Sequence, residues 1–337
     1  MNQLNTLREL YRHHDWAAQR VIALAELLDD AKLNRNFHMG FGSLRQTLWH
    51  NAGAHWVWMS RIGGESPSSI PAYDGPQSMA DLRAFWRDDR AKRESLLDSL
   101  SDPDLRREIQ YRNIKGEAYV ARLGDILLHV ANHAQHHHAQ ASNMLRHLGA
   151  QPPRLDYIFM IYESPPAAPP ALSTDTLRDY FAYTDWAREI VLHVIAPTGH
   201  ALLDRSFEMG LGSIRKNVAH THDAEAWWLM NWTQGPIAPF PKPNETISIF
   251  ELSEDARATA KARNAFLAEL SDADLARPVE AKPAPDRALS FALGVTMVQL
   301  CNHGTHHRAQ TINMLRQCGR TVPPTDLTIW ARQRNPQ

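Results

Sequence analysis

Apolar residues recur every three or four positions along most of the chain, in segments separated by polar stretches with glycine and proline. This spacing places the apolar side chains on one face of a helix. In the first half of the chain it predicts four helices, over roughly 3–28, 43–61, 79–99 and 122–148. Residues 109–120 have a pattern that allows a short β-hairpin, but no stretch alternates as the strands of a core sheet do.

The same pattern occurs twice, because the chain resembles itself at an offset of 170 residues. Three of the matching pairs are LRELYRHHDWA (7–17) with LRDYFAYTDWA (177–187), MGFGSLRQTLWH (39–50) with MGLGSIRKNVAH (209–220), and NHAQHHHAQASNMLRHLG (132–149) with NHGTHHRAQTINMLRQCG (302–319). A period this long indicates a duplicated domain and not a solenoid of short repeats. The first domain covers residues 1–162 and the second 172–337, and the Pro/Ala-rich stretch ESPPAAPPA at 163–171 is typical of a semi-rigid linker.

Signals at the helix ends support these segments. Ser43 and Ser213 stand where an N-cap residue begins the second helix of each repeat. Gly149 and Gly319 stand just after the last helix of each repeat, with prolines following. Four helices per repeat pack most simply as an antiparallel bundle. The predicted fold class is therefore all-α, with two tandem four-helix bundles related by an internal duplication of 170 residues.

Composition and charge narrow the function classes. The chain has 337 residues, 43% of them apolar, and its 36 Lys and Arg residues nearly balance 37 Asp and Glu residues. These charges are interspersed, so no basic stripe predicts nucleic-acid binding. The start MNQLNTLRELYRHHDW lacks the apolar core of a signal peptide, and no apolar run approaches the ~20 residues that span a bilayer. We expect a cytoplasmic protein that binds neither nucleic acid nor membrane.

Histidine is abundant, and its recurrence between the repeats points to a metal site. The chain has 18 histidines, 11 of them in the first repeat. Only four of those 11 meet a histidine at the 170 offset: His50/His220, His133/His303, His136/His306 and His137/His307. On a helix, His133 and His137 lie about 40° apart around the axis and about 6 Å apart along it. His50, midway along the second helix, can approach them across the bundle interior. His136 and His306 point about 60° away from the first histidine of their pair.

Three neutral nitrogen ligands with an open position are the layout of a catalytic metal site, whereas structural zinc is usually closed by four ligands. A His-x-x-x-His pair alone is more often a solvated face or a satisfied pair in the core. The third histidine and the recurrence of the whole trio favour the metal site. Gln140 and Gln310 can face it, and Asp15 and Asp185 can orient a ligand imidazole, although capping or packing explains these four residues equally well.

At these residues the chain resembles the DinB-like superfamily, which includes bacterial metal-dependent thiol transferases. The resemblance rests on the histidine in the second helix and on Asn-His-x-x-His-His-x-x-Gln in the last helix, present as NHAQHHHAQ (132–140) and NHGTHHRAQ (302–310). It implies a four-helix bundle with a three-histidine metal centre, and we expect one divalent ion per domain. Three histidines suit zinc, nickel, iron or copper, and the affinity order alone does not choose among them. The resemblance also implies that a fused tandem forms a pseudo-dimer within one chain and can act as a monomer. The implied metal ligands are His50, His133 and His137, then His220, His303 and His307.

The resemblance implies a class of mechanism. The expected function is a metal-dependent transferase that activates a low-molecular-weight thiol for attack on an electrophilic small molecule, in detoxification or stress response. One alternative is hydrolysis by metal-activated water, for which Asp15, Asp223 and Glu225 are the candidate general bases. The other alternative is a metal-binding scaffold without enzymatic activity.

Overall fold

The protein folds into two compact units, as seen in a computed structural model that describes residues 2–37, 39–70, 78–235, 239–242, 244–284 and 286–334. The first unit consists of Leu7–Leu155 and the C-terminal segment that begins at Pro324. The second unit consists of Asn2–Thr6 and Asp156–Pro323. Within the described ranges, no helix combines the length and the apolar character needed to cross a bilayer.

The first repeat folds into the four predicted long helices, joined by shorter elements. In chain order its elements are α1 (Gln3–Ala25), α2 (Asp30–Leu33), α3 (Leu44–Ile62), α4 (Met79–Ser99), a 3-10 helix (Asp102–Arg106), β1 (Glu108–Arg112), β2 (Ala118–Arg122) and α5 (Leu123–His147). The short helix α6 (Tyr157–Glu163) follows the last long helix. The bounds of the long helices agree with the predicted ones to within a few residues.

The second repeat has the same order of elements. They are α7 (Thr174–Ile195), α8 (His200–Leu203), α9 (Ile214–Thr233), α10 (Ile249–Ala268), a 3-10 helix (Asp272–Ala276), β3 (Pro278–Ala284), β4 (Arg287–Ala292), α11 (Leu293–Gln317) and α12 (Leu327–Arg334). Each repeat therefore supplies four long helices and one small sheet. The predicted all-α tandem fold is confirmed.

The predicted helix ends are confirmed by their hydrogen bonds and dihedral angles. The Ser43 hydroxyl accepts from the Gln46 amide at 3.2 Å, and the Ser213 hydroxyl accepts from the Lys216 amide at the same distance. These bonds satisfy an amide that the first turn of α3 or α9 would leave without an acceptor. Gly149 and Gly319 have φ of +78° and +72°, the left-handed conformation that ends a helix and favours glycine.

The predicted hairpin at 109–120 is confirmed, and the second repeat has a counterpart. Strand β1 pairs with β2 in antiparallel register, with Ile109 opposite Ala121. Strands β3 and β4 pair in the same way, with an irregularity between Ala281 and Ala284. Both hairpins lead directly into the last long helix of their repeat, so they fix where α5 and α11 begin.

The long helices bring the two histidine-bearing segments of each repeat together. Helix α3 packs against α5 and α4, and α9 packs against α11 and α10. Fully buried alanines on α3 and α5, Ala52, Ala134 and Ala141, allow close approach of the helix backbones. The pairs α3/α5 and α9/α11 are the ones that carry His50 and its partners and His220 and its partners.

The apolar pattern did not predict the two terminal helices. Helix α6 contacts α11, and α12 contacts α5 and β2. Tyr157 and Met160 of α6 and Leu327 of α12 are almost completely buried. Burial of these apolar side chains therefore draws each terminal helix into the unit that is built mainly from the other repeat.

The limits of the compact units consequently differ from the limits of the sequence repeat. The compact units divide the chain after Leu155 and before Pro324. The domain limits drawn from the repeat, 1–162 and 172–337 with a linker at 163–171, follow the duplication instead. As a result, Asp156, immediately before α6, belongs to the second unit although it lies in the first repeat.

Candidate metal centres

Each unit brings three histidines together so that their ring nitrogens face one another. In each group, His50/His133/His137 and His220/His303/His307, one ring nitrogen per residue lies within 4.8 Å of the others. The His133 Nε2 atom is 3.4 Å from His50 Nε2 and 3.1 Å from His137 Nε2. In the second unit, His303 Nε2 is 3.1 Å from His220 Nε2. The structure thus places all six predicted ligands in two groups that could each hold a metal ion.

The helices determine how deep each ring lies. The histidines four residues apart project from one face of α5 or α11, and the third comes from α3 or α9. His137 and His307 are buried, with 5% and 8% of their surface exposed, whereas the other four are intermediate. Each triad is therefore closed on one side by the bundle and accessible on the other.

In His137 and His307, a hydrogen bond at Nδ1 determines which ring nitrogen carries the proton. His137 Nδ1 lies 2.9 Å from Gln140 Oε1, and His307 Nδ1 lies 3.0 Å from Asn217 Oδ1. Amide oxygens only accept, so Nδ1 must donate in both rings. In a neutral imidazole the other nitrogen, Nε2, then carries the lone pair and points into the triad.

Burial favours the neutral form of His50, His137, His220 and His307. Burial and then the neighbouring His133 and His136 lower the pKa of His50 to about 2. Burial and then His303 lower the pKa of His220 to about 4. The pKa values of the buried His137 and His307 are also lowered well below the ordinary value, mainly by burial. Neutral imidazole is the form that binds a metal ion.

The short nitrogen–nitrogen separations in the triads fit a small divalent cation. Ligand nitrogens lie about 2.0–2.1 Å from zinc, so two nitrogens of a tetrahedral centre are about 3.3 Å apart. The observed Nε2–Nε2 separations of 3.1 Å and 3.4 Å bracket that value. Inward lone pairs at such distances repel one another unless a cation or a proton lies between them. The donor set and its spacing therefore fit one metal ion per unit, with a position left for another ligand.

The second triad has a carboxylate that the sequence did not identify. Asp156 Oδ1 lies 3.2 Å from His303 Nδ1 and accepts from Gln299 Nε2 at 2.9 Å. Burial raises the pKa of this carboxyl, but the hydrogen bond and charge of His303 and the charge of His306 outweigh burial and lower it overall. Asp156 was missed because it follows the last long helix and reaches α11 only through the packing of α6.

The corresponding residue in the first unit acts at longer range. Asp326 stands 170 residues after Asp156, immediately before α12. Its charge favours the protonated forms of His129 and His133. Gln299, which holds Asp156, is replaced by His129 in the first repeat. Both centres thus have an acidic residue from the segment before a terminal helix, but only Asp156 has a described hydrogen bond to a triad histidine.

We expect Asp156→Asn to weaken metal binding in the second unit. An acceptor on the outer nitrogen orients a ligand imidazole and increases its basicity, and its loss typically costs about 10–100-fold in affinity. Competition with a chromophoric chelator would measure this change. Asp326→Asn is the matched control, for which we expect a smaller loss, confined to the first unit. Equal affinities for wild type and Asp156→Asn would show that this carboxylate does not support the centre.

A glycine loop before α3 and α9 holds the glutamine beside each triad. Gly40 and Gly210 both have φ of +54°, and a Cβ atom built on either would lie 2.7 Å from the Oε1 atom of Gln140 or Gln310. A side chain at these positions would displace the glutamine. Phe41, in the same loop, stacks on His50 with ring centroids 3.6 Å apart. These contacts explain why the loop sequence occurs in both repeats, as MGFGS (39–43) and MGLGS (209–213).

Other polar residues considered from the sequence have different partners. The Nε2 atoms of Gln140 and Gln310 lie 3.0 Å from His136 Nε2 and 2.9 Å from His306 Nε2, and Gln140 also contacts His137 of the triad through Oε1. Asp15 does not orient a ligand imidazole: Arg93 donates to its carboxylate at 2.5 Å. Asp185 is likewise bound by Arg263, at 2.5 Å. These two aspartates are therefore structural ion-pair partners.

Comparison with known proteins agrees with the repeat. The model of the DinB family matches residues 1–168 and, a second time, residues 172–336. The two matches together cover nearly all of the chain. No curated protein and no solved structure gives a significant match.

Proposed function

This chain belongs to the DinB family, and from that premise we propose that it is a metal-dependent transferase that joins a low-molecular-weight thiol to an electrophilic small molecule. The observation that carries the proposal is the convergence of three histidine ring nitrogens in each unit, close enough together to hold one ion. A site of this kind suits a reaction in which one substrate binds the metal. Detoxification or stress protection is the physiological role that such chemistry would serve.

The chain's own residues would hold and orient the ion. His50, His133 and His137 would hold it in the first unit, and their counterparts His220, His303 and His307 in the second. The bound metal would supply the charge that favours the thiolate form of a thiol at neutral pH. The amide oxygens of Gln140 and Asn217 keep a proton on the outer nitrogen of His137 and His307, so that the inner nitrogens remain available.

Apolar side chains beside each triad would receive the carbon skeleton of an electrophile. Phe41 stacks on His50 yet remains 40% exposed, which is unusual for a large aromatic residue. In the second unit Leu211 takes the position of Phe41, and Phe240 lies 5.3 Å from His220 between ring centroids. In a displacement reaction, the sulfur–carbon bond forms as the bond from carbon to the leaving group breaks, and the thiol proton passes to solvent.

The hydrolytic alternative requires a free carboxylate near the ion. Asp15 is bound by Arg93, and Glu225 is bound by both Arg188 and Arg263. Burial raises the pKa of Asp223, but this residue corresponds to Gly53 in the first repeat, so it is not a device shared by both centres. The described contacts therefore favour thiol transfer over hydrolysis.

The proposal is tested by replacing the bound ion with cobalt(II) and adding cysteine or glutathione. We expect a new sulfur-to-metal charge-transfer absorption band and, with 1-chloro-2,4-dinitrobenzene as electrophile, thioether formation with release of chloride and a proton. The His137→Ala/His307→Ala variant should lose both signals. His136→Ala/His306→Ala is the matched control, because it removes the same number of imidazoles from the same helices outside the triads.

Each outcome has a distinct meaning. A metal-loaded protein that gives no charge-transfer band with any small thiol would contradict thiol activation. A band without thioether formation over a panel of electrophiles would contradict the transferase proposal and leave thiol binding in place. Equal loss of the band in the control variant would contradict the assignment of the ligands.

A further inference from the structure

The second unit contains a cavity that does not belong to its metal centre. The cavity lies among α7, α9, α10 and α11, and its volume is about 70 Å³, measured as the space open to the centre of a water molecule. A single water needs about 10–15 Å³ on that scale, so the cavity has room for a small organic molecule. None of His220, His303 and His307 lines it. Apolar residues, among them Phe181, Leu192 and Leu252, form much of its wall.

Four charged residues of the lining neutralise one another. Arg188 pairs with Asp185 at 3.0 Å and with Glu225 at 2.7 Å. Arg263 pairs with the same two carboxylates. Two arginines and two acids thus form a closed ring with no net charge. This arrangement leaves neither carboxylate to serve another cation in the cavity.

Arg308 is the additional cation. Only 8% of its surface is exposed, and it lines the same cavity. Its guanidinium donates to the Tyr183 hydroxyl at 2.8 Å and to the Thr305 hydroxyl at 3.3 Å, and it lies over the Tyr183 ring. In the part of the chain that the structure describes, its Nε atom is buried without an acceptor, and no carboxylate lies within ion-pair distance.

A buried guanidinium without a counter-ion is costly, because arginine cannot lose its proton. Proteins satisfy such a group with an anion, and carboxylate matches its planar set of donors. The charge of the lining, counted from its arginines and acids, leaves one positive charge for a ligand to balance. A single negative charge is therefore the expected complement.

The first unit does not have this arrangement. At the equivalent positions, His14 replaces Thr184, Trp86 replaces Ala256 and His138 replaces Arg308. The ring of His14 lies 4.7 Å from Trp86 and 5.0 Å from His138, measured between centroids. Large rings thus occupy the space that Thr184 and Ala256 leave open in the second unit. The two repeats have diverged at this position while both retained their triads.

We propose that the cavity of the second unit is a binding site for a small monocarboxylate with an apolar body, whose carboxylate pairs with Arg308. The apolar wall would receive the hydrocarbon part, and the guanidinium would receive the charge. Specificity for a carboxylate over a neutral analogue follows from the unpaired Arg308. This site is independent of the proposed transferase activity.

Titration of the full-length protein with butyrate, monitored by calorimetry, tests the proposal, with the neutral isostere butyramide as the matched ligand. We expect saturable binding of butyrate and at least about tenfold weaker binding of butyramide. Arg308→Gln should remove that preference. Ala256→Trp, which installs the residue of the first repeat, should abolish binding of both by filling the space. Circular dichroism would establish that both variants are folded.

A further variant separates this site from the metal centre. Butyrate binding should be unchanged in His220→Ala/His303→Ala, because neither residue lines the cavity. Binding that is lost in this variant but kept in Ala256→Trp would place the carboxylate at the metal and overturn the proposal. The proposal would also fail if butyrate and butyramide bound equally well, or if neither bound to the wild type.

Discussion

The first unit should lose stability much faster than the second as the pH falls below 6.5. Three buried histidines of the first unit that are outside the triad, His14, His55 and His129, correspond to Thr184, Glu225 and Gln299 in the second. Burial lowers the pKa of His129 to about 3 and lowers those of His14 and His55 well below 6.5. The second unit has no titrating imidazole at these positions.

The sign of the effect follows from proton binding. In the unfolded chain these histidines take up protons below pH 6.5, whereas in the folded unit they remain neutral down to their lowered pKa values. Unfolding therefore binds protons, and the free energy of unfolding decreases as the pH falls through this window. Each group contributes up to about 1.4 kcal/mol per pH unit, so three contribute about 4 kcal/mol per pH unit. Before the opposing carboxyls are counted, a loss of that size would approach the whole stability of a typical domain, about 5–15 kcal/mol, within two pH units.

Two carboxyls of the first unit act in the opposite direction, since burial raises the pKa of Asp15 as well as that of Asp89. Burial, only partly offset by Arg93, raises the pKa of Asp89 to about 6. Between pH 6 and its ordinary pKa, the folded unit therefore binds a proton that the unfolded chain does not. These two groups offset part of the effect of the three histidines, so the net change in the first unit remains a loss.

Native-state hydrogen exchange of the metal-free protein, resolved by mass spectrometry, would measure the two units separately. We expect the free energy of opening for α3 and α5 to fall more steeply below pH 6.5 than that for α9 and α11. His129→Gln, which installs the residue of the second repeat, should reduce the slope of the first unit by about one proton. Parallel pH profiles for the two units would contradict this explanation.

Loss of one triad histidine should remove one metal site and leave the other. His307→Ala should weaken binding in the second unit by at least about a hundredfold, because a site held by three ligands loses a large share of its binding free energy with each. His307 donates to Asn217 and lies at the buried end of its triad, so it contributes most to holding the site in shape. The first unit should keep its affinity, since its own ligands are unchanged.

Stepwise titration with zinc in competition with a chelator would show this loss directly. We expect one tight equivalent in His307→Ala and one in His137→Ala. His306→Ala should retain two tight equivalents of zinc, because His306 lies on the same helix as His307 but contacts Gln310. Loss of both sites in a single variant, with the fold intact, would contradict the assignment of separate centres.

Most of the fold could be predicted from the sequence because the repeat doubles every signal. The apolar spacing predicted the long helices, and Ser43 and Gly149 marked two of their ends correctly. The terminal helices were missed because α6 and α12 are short and their apolar residues have no long periodic pattern. What holds them is burial against a helix of the other repeat, which no local pattern indicates.

The candidate site divides in the same way. The triad histidines were predictable because their spacing on a helix places them on one face and because they occur in both repeats. Asp156 was not predictable, since its contact with His303 spans 147 residues and depends on where α6 packs. The sequence left two roles open for Asp15 and Asp185, and their ion pairs with Arg93 and Arg263 favour packing over the orientation of a ligand imidazole.

The central claim is that each unit holds one metal ion through its three histidines, and elemental analysis of the purified protein tests it most directly. The measurement compares wild type with His137→Ala/His307→Ala after equilibration with zinc or nickel and removal of excess metal. We predict about two equivalents per chain in the wild type and none tightly bound in the variant, with helical content unchanged. A folded wild-type protein that takes up neither metal would contradict the claim.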